Sequence, residues 1–153
     1  MLIDRIDQAI NYSARNNQVC AGIYLDMDRF KPINDTYGHA IGDLVLQAVA
    51  IRLKHVMRET DTLSRLSGDE FFILARDIQS AEAAEKLAIK LQSQFEVPII
   101  FKDPSVVVNL SASIGICIFP GKDDTALSVI QQADQAMCLI KHDAGAGIAF
   151  ADS

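Results

Sequence analysis

The stretch TLSRLSGDEFFILA, running from Thr62 to Ala75, decides the fold. Two apolar runs, Thr62 to Leu66 and Phe71 to Ala75, flank the polar turn Ser67-Gly68-Asp69-Glu70, the pattern of two strands joined as a hairpin. Adjacent acids at a hairpin tip repel each other and do nothing for the turn, so a bound cation is the better reason for Asp69 and Glu70. A second acidic group, Asp26-Met27-Asp28, lies far upstream. It begins where Val19 to Asp26, a buried strand by its apolar run, comes to an end.

Working outward, the chain alternates between helical and strand periods. Ile41, Leu44, Leu46, Val49, Ile51, Leu53 and Val56 recur at roughly helical spacing and predict an amphipathic helix from about Ala40 to Met57. Ser80 to Phe95 predicts a second, with Ser80 as N-cap and acids in its first turns. Strands are expected at Val97 to Phe101 and Val106 to Phe119, separated by the turn Lys102-Asp103-Pro104 and closed by Pro120-Gly121. Leu2 to Arg15 and Thr125 to His142 read as further helices, and Ile148 to Phe150 as a short last strand. Strand, helix, hairpin, helix, strand is the order of an α+β sandwich of the split βαβ type, an antiparallel sheet flanked by helices. In that topology the first strand ends beside the hairpin tip, so Asp26 would join Asp69 and Glu70. Hard oxygen ligands of this kind suit Mg²⁺ or Mn²⁺ with phosphate oxygens, and metal-assisted phosphoryl or nucleotidyl transfer follows.

Composition narrows the class without choosing the chemistry. The 153 residues, 50% hydrophobic, suffice for a single domain spanning 1–153 with a full core. A net charge of −6 argues against nonspecific nucleic-acid or anionic-membrane binding. No signal peptide or membrane-spanning run is evident, so a cytoplasmic setting is expected, with any membrane anchor in a parent protein outside this reading. Cys20, Cys117 and Cys138 lie in apolar runs without metal-like spacing and read as small core residues in a reducing compartment. His39 reads as a helix-start residue, His55 and His142 as surface residues near helix ends, and Asp35 as an N-cap. Phe71 and Phe72 read as core. The chain is expected to turn at Asp28, which removes that carboxylate from the cluster.

Asp26-Met27-Asp28-Arg29-Phe30-Lys31-Pro32-Ile33-Asn34-Asp35-Thr36-Tyr37-Gly38-His39, then Gly42-Asp43, then Arg65-Leu66-Ser67-Gly68-Asp69-Glu70-Phe71, in this order and at these separations, resemble the GGDEF domain of diguanylate cyclases. The resemblance covers the chain from Val19 onward and implies a nucleotidyl-cyclase palm-like sheet. It implies condensation of two GTP into cyclic di-GMP by a homodimer, each copy holding one GTP. By the same resemblance, Asp26, Asp69 and the Met27 carbonyl would bind the metal, and Glu70 would complete the acidic centre. Asn34 and Asp43 would hydrogen-bond guanine, the Phe30-Lys31 backbone would contact phosphates, and Lys141 would bind phosphate from the last helix. Arg58 and Asp61, in R-x-x-D form nine residues before Ser67, would bind cyclic di-GMP as an inhibitory site. Taken alone that pattern is also an ordinary i,i+3 ion pair.

The chain departs from the family pattern in four places. Ser67 stands for the first glycine of the signature, where a positive φ would strain a serine by about 1 kcal/mol. Gly145 stands where the family has a phosphate-binding arginine, and Cys138 where it commonly has an aromatic. The D-x-L-T-type segment before the first helix is absent, so the chain is expected to be the C-terminal part of a longer signalling protein with an N-terminal sensor or receiver. Three functions remain compatible: a cyclic di-GMP-binding module with a weakened active site, a working cyclase restrained by its product, and a ligand-independent dimerisation domain. The departures favour the first.

Overall fold

Alternation along the strands explains the architecture of the computed structural model, which describes residues 1–102, 105–121, 123–143 and 147–151. Strand β1 (Cys20–Asp28) is buried along nearly its whole length and lies at the centre of a sheet ordered β2-β3-β1-β6-β7. β2 (Thr62–Ser67), β3 (Glu70–Ala75) and β6 (Ser111–Phe119) run antiparallel to their neighbours, and β7 (Ile148–Phe150) pairs parallel with β6. Ala21, Ile23, Leu25 and Met27 of β1 join Phe71, Ile73 and Ala75 of β3 on one face. There α3 (His39–Val56) and α4 (Ala81–Ser93) cover them with Val45, Val49, Leu53, Ala88 and Leu91.

The alternate positions face the other way, as a period of two requires. Cys20 and Tyr24 of β1 and Phe72 and Leu74 of β3 pack against Ile6 and Ala9 of α1 (Leu2–Asn16) and Val129, Ala133 and Met137 of α5 (Ala126–Asp143). Three layers result, helices on both faces of one mixed sheet. β4 (Ile99–Lys102) and β5 (Ser105–Val108) form a separate two-stranded sheet whose Ile99, Val106 and Val108 pack into the same core as α3 and α4.

Three local expectations are corrected. The apolar run from Val106 to Phe119 is two strands, broken at Asn109-Leu110, because β5 folds back on β4 before β6 enters the main sheet. A short helix, α2 (Phe30–Tyr37), precedes α3, so Asp35 is inside a helix and caps nothing. Cys138 is exposed, whereas Cys20 and Cys117 are buried free thiols, that of Cys117 pushed up to about 12 by burial. His39 begins α3, and Ser80 is the N-cap of α4, its hydroxyl accepting the Ala83 N–H at 3.1 Å. Asp103, Pro104 and Gly145 lie outside the described residues. Ser80→Ala removes the side-chain acceptor at that helix start and is expected to cost about 1 kcal/mol, read as a lower urea midpoint at unchanged m-value.

Candidate functional site

The acids meet at one end of the sheet because β1 is longer than its apolar run and continues through Asp28. Asp26 pairs with Glu70 on one side and Ser113 on the other. The Gly68-Asp69 turn folds over the strand end, and the Met27 N–H donates to the Asp69 carbonyl at 3.1 Å. Asp26, Asp69 and Glu70, more than forty positions apart, are thereby gathered into one neighbourhood. Asp28 is corrected as well. It shares the α5-facing side with Asp26, and its carboxylate accepts from Ser111 Oγ at 2.8 Å and Ser113 Oγ at 2.9 Å. From α5, Lys141 Nζ reaches Asp26 Oδ2 at 3.1 Å and Asp28 Oδ1 at 3.7 Å.

α5 can deliver this lysine because Gly115 gives it room. A Cβ there would lie 2.0 Å from the Ala133 carbonyl oxygen and 2.5 Å from the Met137 nitrogen, both backbone atoms of α5. The cluster is electrostatically tense. Burial raises Asp26 to about 7, helped by the nearby Asp69 and Glu70 charges and opposed by Lys141. Burial pulls Lys141 down, yet its bond to Asp26 and the fields of Asp26, Asp28 and Asp69 leave it raised overall. Asp26 Oδ1 is buried and has no hydrogen-bond partner. A buried acceptor without a donor is costly, and a divalent cation would satisfy it. Among the described residues no three His, Cys, Asp or Glu side chains form a metal-holding group. An ion at this point would therefore draw on Asp26, Asp69 and backbone oxygen such as that of Met27, completed by phosphate or water.

Glu70 is held by two hydroxyls. Ser67 Oγ donates to its Oε1 at 2.5 Å and Tyr24 to its Oε2 at 3.0 Å, while burial together with Glu70 pushes the Tyr24 phenol well up. The strain expected at Ser67 does not arise. The positive φ of this turn falls on Gly68, at 22°, and Ser67 itself ends β2 in register with Glu70.

Beside the cluster, α2 and α3 meet at Gly38, whose φ of 88° allows the abrupt change of direction. Phe30 and Lys31 form the first turn of α2, which has no side-chain cap, so their N–H groups face outward from a positive helix end. Asn34 lies over Gly42, where an added Cβ would stand 1.8 Å from its Oδ1. Asp43 follows directly and is exposed. This brings Asn34 and Asp43 together on adjoining helices, next to the α2 N-terminus and the end of β1.

Arg58 and Asp61 sit at the opposite end of the β2–β3 hairpin. They form the i,i+3 ion pair at 2.8 Å, and Asp61 Oδ2 also accepts the Arg58 backbone N–H at 2.9 Å. Arg58 further donates to the carbonyls of Arg76 at 2.6 Å and Asp77 at 3.4 Å, pinning the β3–α4 connection. A groove of about 460 Å³ opens beside it, lined by Tyr12, Gln18, Arg58, Thr60, Arg76 and Asp77. Sequence reasoning missed Tyr24, Ser111, Ser113 and Arg76. Strand parity would have found the first three, since each shares the α5-facing side with Asp26 or Asp28. Arg76 comes close through a turn that no periodicity announces.

Two outcomes test this geometry. In metal-free buffer the folded chain keeps the Asp26 proton up to about pH 7, while the unfolded chain releases it near 3.8. Stability to urea should therefore fall as pH rises between those values, and Asp26→Asn should remove that slope and exceed the parent at pH 8. Gly42→Ala should displace the Asn34 carboxamide, a movable side-chain end, and leave the melting temperature within a few degrees of the parent. A crystal structure of the variant with Asn34 unmoved would overturn the account.

Comparisons with known proteins identify the family. The family described as "Diguanylate cyclase, GGDEF domain" matches residues 1–146. The bifunctional diguanylate cyclase/cyclic di-GMP phosphodiesterase MucR of Pseudomonas aeruginosa is 39% identical over 153 residues, 100% of this chain and 22% of its own length. The cyclic di-GMP phosphodiesterase PdeR of Escherichia coli is 37% identical over 138 residues, 90% of this chain and 20% of its own. The crystal structure of the GGDEF domain of TpbB from Pseudomonas aeruginosa superposes with a TM-score of 0.93 at 34% identity, covering 98% of this chain and 92% of that one. No helix of the described residues is long and apolar enough to cross a membrane. The chain spans about a fifth of the length of MucR and PdeR, and it belongs to the GGDEF family of diguanylate cyclase domains.

Proposed function

We propose that this chain is a cyclic di-GMP signalling domain with an assembled diguanylate cyclase site, which takes GTP at the acidic end of the hairpin and cyclic di-GMP at Arg58 and Asp61. The observation that carries the reading is the buried, partnerless Oδ1 of Asp26 beside Asp69, Glu70 and Lys141. Asp26, Asp69 and the Met27 carbonyl would hold Mg²⁺ or Mn²⁺. Bound there, the ion would polarise the α-phosphate and lower the pKa of an attacking 3′-hydroxyl. Asn34 and Asp43 orient guanine, Asp43 as a carboxylate able to accept from two base N–H groups. The Phe30 and Lys31 amides face the phosphates, and Lys141, already the counter-charge of the cluster, has its ammonium within reach of them.

Condensation joins two nucleotides, so two copies of the domain must face each other, each presenting one GTP. Whole-protein activity and partners, including an attached sensor or receiver domain, belong to the same proposal. A receptor with slow or absent synthesis is the second reading, favoured by one observation: Ser67 and Tyr24 already occupy both Glu70 oxygens.

Incubation with GTP and Mg²⁺ decides between them, using the chain alone and an artificially dimerised form. The first reading expects cyclic di-GMP from the dimerised form and a loss of about 10²-fold or more for Asp69→Ala. Ser67→Gly should change that rate by less than about threefold; a gain of tenfold or more would favour the receptor reading, with Ser67 withholding Glu70. Gly42→Ala should raise the KM for GTP while leaving cyclic di-GMP binding at Arg58 unchanged. No product from any form, together with no cyclic di-GMP binding, would leave only a ligand-independent interaction domain.

A further inference from the structure

The groove beside Arg58 contains a second arginine that the catalytic reading does not use, and Arg58 itself has little left to offer a ligand. Its Nε–H is spent on Asp61, its two Nη2 hydrogens on Asp61 and the Arg76 carbonyl, and one Nη1 hydrogen on the Asp77 carbonyl. A guanidinium has about five N–H groups, so a single one remains for anything else. The Asp61 side chain is wholly covered.

Arg76 is placed differently. Its guanidinium carbon stands 5.4 Å from the centroid of the Tyr12 ring, and among the described residues no hydrogen bond or ion pair engages its side chain. A cation–π contact spends no N–H group on an acceptor, so the N–H edge of the guanidinium stays available. That edge matches the oxygens of a phosphodiester or the O6 and N7 of guanine. Tyr12 is 45% exposed, so the ring and the cation both border the groove. Among the described residues Asp77 is the one carboxylate lining it. The groove's volume suits a small anionic ligand.

We propose that Arg76, presented on the Tyr12 ring, is a further phosphate-binding cation of this groove, so that helix α1 forms one wall of the cyclic di-GMP site. The inference rests on reading Arg58 and Asp61 as that site. On this account Arg58 fixes Asp61 and the β3–α4 connection and meets the ligand through its remaining N–H, and Arg76 adds a second cation beside it. The ligand is a guanine phosphodiester, as the Arg58–Asp61 reading requires, with Thr60 and Gln18 adding neutral hydrogen-bonding groups nearby that free phosphate would not need.

Calorimetric titration of cyclic di-GMP into the intact chain, at two salt concentrations, tests this against Arg76→Ala, Arg76→Lys, Tyr12→Ala, Tyr12→Phe and Arg58→Ala. Inorganic phosphate and GTP with Mg²⁺ serve as further probes, and thermal melting checks folding. Arg76→Ala should weaken cyclic di-GMP binding tenfold or more and flatten its salt dependence. Tyr12→Ala should weaken it severalfold and Tyr12→Phe should match the parent. GTP binding at the acidic cluster should not change. Parental affinity in Arg76→Ala with binding abolished in Arg58→Ala overturns the proposal and leaves the Arg58–Asp61 reading standing. Should Arg76→Ala fail to fold, parental affinity in both Arg76→Lys and Tyr12→Ala overturns it equally. Phosphate binding as tightly as cyclic di-GMP overturns the ligand assignment, and no binding by the unsubstituted chain overturns the inference and its premise together.

Discussion

The bond between Lys141 and Asp26 is the interaction on which the functional end of this molecule depends. It crosses from a helix to the central strand of the sheet, and it is the nearest positive charge to a group of carboxylates that repel one another. Pairs of this kind carry a desolvation penalty that can match their attraction. Here the lysine remains partly solvated, and Asp28 with its two serine donors shares the load. The outcome is a cluster that keeps one carboxylate oxygen unsatisfied.

That arrangement places the functional region at the least neutral point of an otherwise well-packed sandwich. Every even position at the end of β1 and β3 that would continue the apolar pattern is polar instead, and the ladder still holds because the backbone pairing is indifferent to it. Strand pairing supplies the precision: Asp26 is fixed by Glu70 on one flank and Ser113 on the other, and Asp69 is tied by a main-chain bond rather than by its own side chain. The turn between β2 and β3 is only two residues long, Gly68 and Asp69. Groups intended to act together benefit from such rigid mounting.

Much of this was legible in the sequence, for identifiable reasons. The hairpin, the central strand, the Ser80 cap and the long helices carry strong period-two or period-3.6 signals, and the gathering of Asp26 with Asp69 and Glu70 followed from topology. The short α2 was not legible, since eight residues containing Pro32 and one turn of apolar spacing give too little pattern. Asp28 is not legible because the apolar run of β1 stops at Asp26, whereas pairing with β6 carries the strand two residues further. The Ser67 strain was argued from the family glycine and disappears because the two-residue turn begins one position later. The exposed Cys138 shows that an apolar neighbourhood in sequence need not be an apolar neighbourhood in space. Arg76 and Tyr12 meet across sixty-four positions, which no local rule reveals.

Gly115 touches no ligand and carries no side chain, yet α5 crosses its backbone so closely that any larger residue would lift the helix from the sheet. The lysine at the far end of that helix would move with it. A natural variant at this position would therefore look like a defect in nucleotide handling when assayed and like a packing error when inspected. For anyone interpreting sequence variation in this domain, the boundary between residues that matter for folding and residues that matter for chemistry does not run where the side chains suggest.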